Sequence, residues 1–240
     1  ELYNNASEFY RAENGQPIGY FWGYKTAGIF QNTQEIDEWR AAGNGILQSN
    51  VQPGDVRFVD RNHDGQINNK DKVNLGNGTP DFTLGLNLGF VYKGFDFSIV
   101  ANGAFGQQIV QSYRNHTRPT PNYTTAILDR WHGEGTSNRI PRVTDSNINY
   151  QFSDLFIQNG DYLRLSTLTL GYDFAKLFKG KAVSQARLYF QVQNLFTITG
   201  YDGMDPEIGF GSSNNSWVSG LDYGYYPRPR TVLVGVNLKF

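Results

Sequence analysis

The sequence contains no cysteine and a single methionine. Without thiols there is no disulfide framework and no thiolate metal or redox site. Net charge is nearly absent too: 21 basic residues face 22 acidic ones, a formal charge of -1. A nucleic-acid surface needs a basic patch, so nucleic acid is not an expected partner. Long apolar runs are missing. Residues 231–236 form one of the longest, far short of the roughly 18 that a membrane-spanning helix requires. The first residues show no basic stretch leading into an apolar one, so an export signal is expected outside this sequence. Glycine (27), phenylalanine (17) and tyrosine (15) are plentiful, a composition that favours sheets over helix bundles.

Hydrophobic periodicity supports that reading. Phe82, Leu84, Leu86, Leu88, Phe90 and Tyr92 occupy alternate positions, separated by Thr83, Gly85, Asn87 and Gly89, with Val91 as the one apolar exception. A period of two marks a strand with one apolar and one polar or small face. After Lys93-Gly94 the pattern restarts with Phe95, Phe97, Ile99, Ala101 and Phe105 against Asp96, Ser98 and Asn102. Two alternating runs joined by a two-residue link containing glycine predict a tight hairpin. Leu168, Leu170, Tyr172 and Phe174 form a third run. Leu163 and Leu165 precede it in the opposite phase, which predicts a bulge. Leu188, Phe190, Val192, Phe196 and Ile198 form a fourth, and Val232, Val234, Val236, Leu238 and Phe240 a fifth.

The connections alternate in length. Lys93-Gly94 and 175–185 are short, whereas 110–161 and 199–230 are long. Long loops without structure are uncommon in compact soluble domains. A transmembrane β-barrel has short periplasmic turns and long extracellular loops, and strands of about this length with aromatic ends. The expectation is an all-β, antiparallel membrane barrel, with lipid meeting one face of each strand. The plainer reading of the periodicity is an antiparallel soluble sheet with one buried face, and the alternative function is that of a secreted, calcium-stabilised β-sandwich that binds carbohydrate.

One segment carries explicit site chemistry. Residues 60–71 read Asp60-Arg61-Asn62-His63-Asp64-Gly65-Gln66-Ile67-Asn68-Asn69-Lys70-Asp71. Oxygen-bearing side chains at positions 1, 3 and 5, glycine at 6 and an apolar residue at 8 match a twelve-residue calcium loop. Asp60, Asn62 and Asp64 would offer side-chain oxygens, Gln66 its carbonyl, and Asp71 the final carboxylate, shorter than the usual glutamate. Asn68 could reach the ion through water. The plainer reading is a turn rich in Asp and Asn, held by side-chain-to-backbone hydrogen bonds. The flanks carry no amphipathic helices, so a structural Ca2+ clip is expected rather than a signalling switch.

Other candidates are weaker. Asp202, Asp205 and Glu207 sit in a glycine-rich loop and could suggest a glycosidase pair, but nothing in the local sequence positions them, and solvation or capping is the simpler role. His63, His116 and His132 have no metal-ligand spacing. Trp217, Tyr223, Tyr225 and Tyr226 in the last long loop could stack on a ligand or pack the loop itself. No catalytic residue and no organic cofactor site is expected.

Several segments, in order along the chain, resemble one family. They are Gly15-Gln16-Pro17-Ile18-Gly19-Tyr20-Phe21-Trp22-Gly23-Tyr24, Gly28-Ile29-Phe30-Gln31-Asn32, Pro53-Gly54-Asp55-Val56 with the acidic loop after it, and Leu75-Gly76-Asn77 leading to Pro80-Asp81-Phe82. Leu128-Asp129-Arg130-Trp131, Ile140-Pro141-Arg142 and Asn159-Gly160-Asp161-Tyr162-Leu163-Arg164-Leu165 continue the pattern. Gln193-Asn194-Leu195-Phe196-Thr197, Asp205-Pro206-Glu207 and Tyr226-Pro227-Arg228-Pro229-Arg230-Thr231 complete it. Together they resemble the C-terminal portion of SusC/RagA-type TonB-dependent outer-membrane transporters of Gram-negative, Bacteroidetes-type bacteria.

The resemblance implies a 22-stranded barrel with an N-terminal plug, a SusD-like surface lipoprotein as lid, and import of oligosaccharides or peptides driven by a TonB complex. Only five clear strands are visible, with a sixth an option near residues 1–10. Eight strands are about the minimum for a membrane barrel, so the chain must pair with the remainder of the barrel and with outer-membrane lipid. Plug and TonB contacts would belong to an N-terminal part not contained here. Residues 1–81 are then an extracellular loop region bearing the calcium-type loop, and 82–240 the C-terminal barrel strands with their loops. With Phe240 at the periplasmic rim, both long loops and the acidic loop fall on the extracellular side. Leu86, Leu88, Val234 and Leu238 then face lipid.

Overall fold

The computed structural model describes residues 10–111, 125–144, 149–175, 183–208 and 219–240. In chain order the elements are β1 (Tyr10–Arg11), β2 (Tyr20–Tyr24), β3 (Thr26–Ile29), α1 (Thr33–Ala41), β4 (Val56–Phe58), β5 (Lys72–Asn77) and β6 (Phe82–Tyr92). They continue with β7 (Phe95–Phe105), β8 (Gln108–Gln111), β9 (Ile157–Asn159), β10 (Tyr162–Asp173), β11 (Gln185–Thr199), β12 (Leu221–Asp222) and β13 (Thr231–Lys239). The architecture is mostly antiparallel β with one α-helix. Two units share the chain. One comprises Glu1–Gly78, Gln108–Gln158 and Gly209–Gly224, the other Thr79–Gln107, Asn159–Ile208 and Tyr225–Phe240.

The second unit is a five-stranded antiparallel sheet in the order β13-β11-β10-β7-β6. Its five strands are the five runs read from the sequence. The β6–β7 hairpin turns on Lys93 and Gly94, both with positive φ (49° and 93°), the geometry of a two-residue turn that follows the right-handed strand twist. The expected bulge is present. Pairing of β10 with both neighbours shifts between Leu165 and Thr167. The extra residue restores the phase, so that Leu163, Leu165, Leu168 and Leu170 all share a face. Register then carries that face across the sheet: Leu88 lies opposite Ile99, Ile99 opposite Leu168, Leu168 opposite Val192, and Val192 opposite Val232.

Among the described residues of this unit, no second layer covers this apolar face. Leu88 is 54% and Val234 70% exposed, and Leu84, Leu86, Phe90, Leu170, Phe190, Val236 and Leu238 are exposed with them. A sandwich would have buried these residues in a core. The bare face therefore argues against the β-sandwich alternative. Among the described residues, neither β6 nor β13 has a second strand partner, so both edges of the sheet are open. The described residues do not close the sheet into a cylinder.

The first unit buries many of its apolar residues, although Ile18, Leu128 and Val143 are exposed. It holds three small sheets or parts of sheets: β1-β2-β5, β3-β4 and β12-β8-β9. The core is divided into three clusters. Tyr10, Phe21, Leu75, Val110 and Leu221 form one, Tyr24, Val56, Phe58 and Ile67 the second, and Phe30, Ile36 and Val51 the third. The helix α1 was not anticipated from composition. It begins at Asn32, whose side chain accepts a hydrogen bond from Glu35 N (2.9 Å), and Glu35 Oε2 in turn accepts from Gln31 N (2.9 Å). Ile36 is its only buried residue, so the helix is anchored at one point and solvated elsewhere. β8 and β9 fall within 110–161 and its borders, so that stretch contributes strands of its own. Residues 1–9 of the stretch near 1–10, where a sixth strand was an option, lie outside the described residues.

Candidate functional site

Three places in the described residues concentrate polar chemistry. The first is the acidic loop between β4 and β5. His63 and Gly65 take positive φ (56° and 78°), which folds the loop back on itself. Asp60, 1% exposed, accepts hydrogen bonds at Oδ2 from Gly65 N (2.8 Å) and Gly45 N (3.2 Å). Its Oδ1 is buried and has no hydrogen-bond partner. Asp64 Oδ1 accepts from Gln66 N (3.0 Å) and its Oδ2 from Asn62 Nδ2 (2.9 Å), while Asn62 Oδ1 accepts from Asp64 N (3.1 Å).

Asp71 is fully buried. Its Oδ1 accepts from Arg61 N (2.9 Å) and its Oδ2 from Asn68 N (2.8 Å), and Asn68 Oδ1 accepts from Lys70 N (3.0 Å). This reciprocal cap starts a short 3-10 turn over Asn69–Asp71, where the sequence offered no amphipathic helix. Ile67 packs with Tyr24, Val56 and Phe58, as expected for the apolar eighth position. Burial, and then the negative charge of Asp71, pushes the Tyr24 phenol above its ordinary pKa. Among the described residues, no three His, Asp or Glu side chains gather closely enough to hold a metal by themselves.

The second place is the polar face of the five-stranded sheet. Arg187 on β11 grips Asp96 on β7 through two bonds, Nε to Oδ1 (2.8 Å) and Nη2 to Oδ2 (2.6 Å). The strand between them, β10, presents Gly171 opposite Asp96. A Cβ at Gly171 would collide with Asp96 Oδ1 and Arg187 Nε, so glycine leaves the passage that this pair crosses. The guanidinium also lies 4.7 Å from the ring centroid of Tyr189. Tyr189 stands opposite Gly235 of β13, where a Cβ would meet its ring. Small and large residues thus interlock across four strands, β7, β10, β11 and β13.

The third place is a pocket of about 410 Å³ lined by Arg164, Thr197, Met204, Asp205 and Arg228 among others. Arg164, on β10, is almost fully buried. It donates from Nε to Thr197 Oγ1 (2.9 Å), from Nη1 to Glu207 Oε2 (2.8 Å) and from Nη2 to Asp205 Oδ1 (2.6 Å). Arg228 Nη2 reaches Glu207 Oε1 at 2.9 Å. The sequence reading left Asp205 and Glu207 as solvated loop carboxylates with nothing to position them. That is corrected here: two arginines hold them, and Asp205 is only 7% exposed. Asp205 is paired with Arg164, and Glu207 with both Arg164 and Arg228.

Of the aromatic candidates, Tyr223, Tyr225 and Tyr226 are exposed, Tyr226 at 86%. Trp217 lies outside the described residues, as does His116. His132 is exposed, with its ring beside the Arg130 carbonyl. The arginine-centred network was missed because its members are far apart in sequence, and only the regular alternation around Arg164 hinted at its facing.

No protein-family profile matches the chain. TonB-dependent receptor P3 of Formosa agariphila is 34% identical over 237 residues, covering 94% of this chain and 22% of that receptor. TonB-dependent receptor SusC of Bacteroides thetaiotaomicron is 31% identical over 197 residues, 81% of this chain and 18% of SusC. A structure of the RagAB peptide transporter superposes with a TM-score of 0.67 at 21% identity, over 96% of this chain and 24% of that one. The chain is part of a SusC/RagA-type TonB-dependent receptor.

It spans about a quarter of the length of the relatives it matches. The RagAB peptide importer in its closed-closed state gives a TM-score of 0.68 at 20% identity over 100% of this chain, an agreement of fold. TonB-dependent receptors are outer-membrane proteins of Gram-negative bacteria, and members of the family are transporters, not enzymes.

Proposed function

We propose that this chain forms a stretch of wall and extracellular loops in a 22-stranded outer-membrane barrel that imports oligosaccharides. Energy comes from a TonB complex acting on the receptor's plug, and a SusD-like surface lipoprotein closes the mouth. The observation that carries this reading is the five-stranded sheet with a bare apolar face and an interlocked polar face. That division of chemistry fits lipid on one side and an aqueous lumen on the other. Five strands of twenty-two is roughly a quarter of the wall, in keeping with the share of the relatives that the chain spans. The exposed Tyr225 and Tyr226, with Trp217 and Tyr223 nearby in sequence, support sugar contact, because aromatic faces stack on sugar rings. The solved RagAB structures, described as a peptide transporter, favour peptides as the second reading.

The test is uptake by the full-length receptor in its own host. Deleting its gene should abolish growth on one oligosaccharide as sole carbon source, and complementation should restore it. A protonophore should block uptake of the labelled sugar, and the surface lipoprotein should co-purify with the receptor in detergent. Loss of peptide uptake with every glycan unaffected would replace oligosaccharide by peptide. Unchanged uptake of both would sink the transport reading.

A further inference from the structure

The acidic loop contains a charge problem that the protein alone leaves unsolved. Asp60, Asp64 and Asp71 lie within twelve residues, and Asp60 and Asp71 are both buried. Among the described residues no Lys, Arg or His forms an ion pair with any of the three. Elsewhere in this chain two buried carboxylates do have such partners: Asp55 takes Arg142 at 2.7 Å and Asp205 takes Arg164 at 2.6 Å. A buried carboxylate with neither cation nor full hydrogen bonding is costly. Asp60 Oδ1 is that case, buried and without a partner, while Oδ2 of the same group is held by Gly65 N and Gly45 N.

We infer that the loop of residues 60–71 binds one calcium ion, with Asp60 Oδ1 as the ligand held ready for it. The remaining donors are those a hard cation prefers. Asn62 Oδ1, the Asp64 carboxylate and the Gln66 carbonyl follow Asp60 at alternate positions, and Asp71 closes the set. Each side-chain oxygen of Asn62, Asp64 and Asp71 accepts one N–H, which fixes its direction and leaves a lone pair for metal. No three acids converge, so the amide of Asn62 and a main-chain carbonyl are required members of the shell. An all-oxygen, flexible shell selects calcium over magnesium, which demands a tighter octahedron, and over zinc, which prefers nitrogen and sulfur. Ile67 ties the bound loop to the cluster of Tyr24, Val56 and Phe58, so the ion braces β4 and β5.

The experiment uses the full-length receptor in detergent, stripped with EDTA, and then titrated with calcium, magnesium or terbium. Calcium should raise the midpoint of thermal unfolding, with half-saturation at about 0.1–1 mM, the range of extracellular calcium modules. Terbium should bind and be displaced by calcium. Asp64→Asn, at an exposed position, should leave the EDTA-treated protein as stable as wild type and weaken binding at least about tenfold. Asp60→Asn should remove the calcium response and stabilise the metal-free protein, because it deletes the unpaired charge. Absence of any calcium effect up to 10-fold above about 1 mM would overturn the inference. So would an equal response to magnesium, or an undiminished calcium response in both variants. None of these readouts depends on transport, so failure here leaves the import reading standing.

Discussion

Arg164 illustrates how one side chain can organise a distant loop. Its guanidinium spends its donors on Thr197, Asp205 and Glu207, and all four groups lose water in the process. Arg164→Met should cost about 3–5 kcal/mol, because Asp205 would remain buried without its cation. The check is thermal unfolding of the full-length receptor in detergent. Adding Asp205→Asn to that variant should recover part of the loss, since the cycle removes the stranded charge. If the double variant is no better than the single one, the charge pairing is not what holds the loop. None of this was legible from Asp205-Pro206-Glu207 itself. Proximity rules act over three or four residues, and Arg164 lies on a strand far upstream. In the acidic loop, by contrast, the bonds of Asp60 with Gly65, Asn62 with Asp64, Asp64 with Gln66 and Asn68 with Asp71 all join residues a few positions apart, within reach of local turn rules.

Strands proved easier to read than anything else. In β6 and β7 strict alternation, a two-residue link and a glycine all pointed the same way, and the hairpin follows them. The phase change within β10 was equally informative: a slip of one residue reverses every side chain, so an uncompensated slip would have put leucines on both faces. α1 escaped notice because eight of its nine residues are not buried, and its signature lies in Asn32 and Glu35 rather than in any apolar stripe. The facing of β6 makes a sharp prediction. Leu86→Arg should impair assembly into the outer membrane, at a cost of about 2–4 kcal/mol if the position is near the bilayer midplane. Asn87→Arg, one residue along and on the opposite face, should assemble normally. Heat-modifiable migration of the two variants on gels reports the outcome, and equal defects would reverse the facing.

The chain as a whole shows two responses to its apolar residues. One unit buries them in three clusters, and the other displays them across a sheet with two open edges. Open edges and a bare apolar face are adhesive in water. Produced alone without detergent, residues 1–240 should therefore associate rather than run as a monomer in size-exclusion chromatography with light scattering. A stable monomer would mean that the apolar face finds cover within the chain. Length and composition could not reveal this division, because both units are rich in the same aromatics and glycines. It became visible only when strands were counted against what a closed cylinder needs.

The pairing of β8 with β12 has a consequence in time. Val110 lies beside Leu221 in a parallel ladder, and Tyr10, Phe21 and Leu75 share a cluster with both. The first unit is therefore assembled from three separate stretches of this chain, delivered one after another with strands of the second unit between them. Until residue 222 has been delivered, its largest cluster lacks a wall, however long the earlier stretches have been waiting. A premature stop after β11 would spare most of that unit's sequence and still leave it unfinished. Loss of the last of the three stretches is thus an injury to the first.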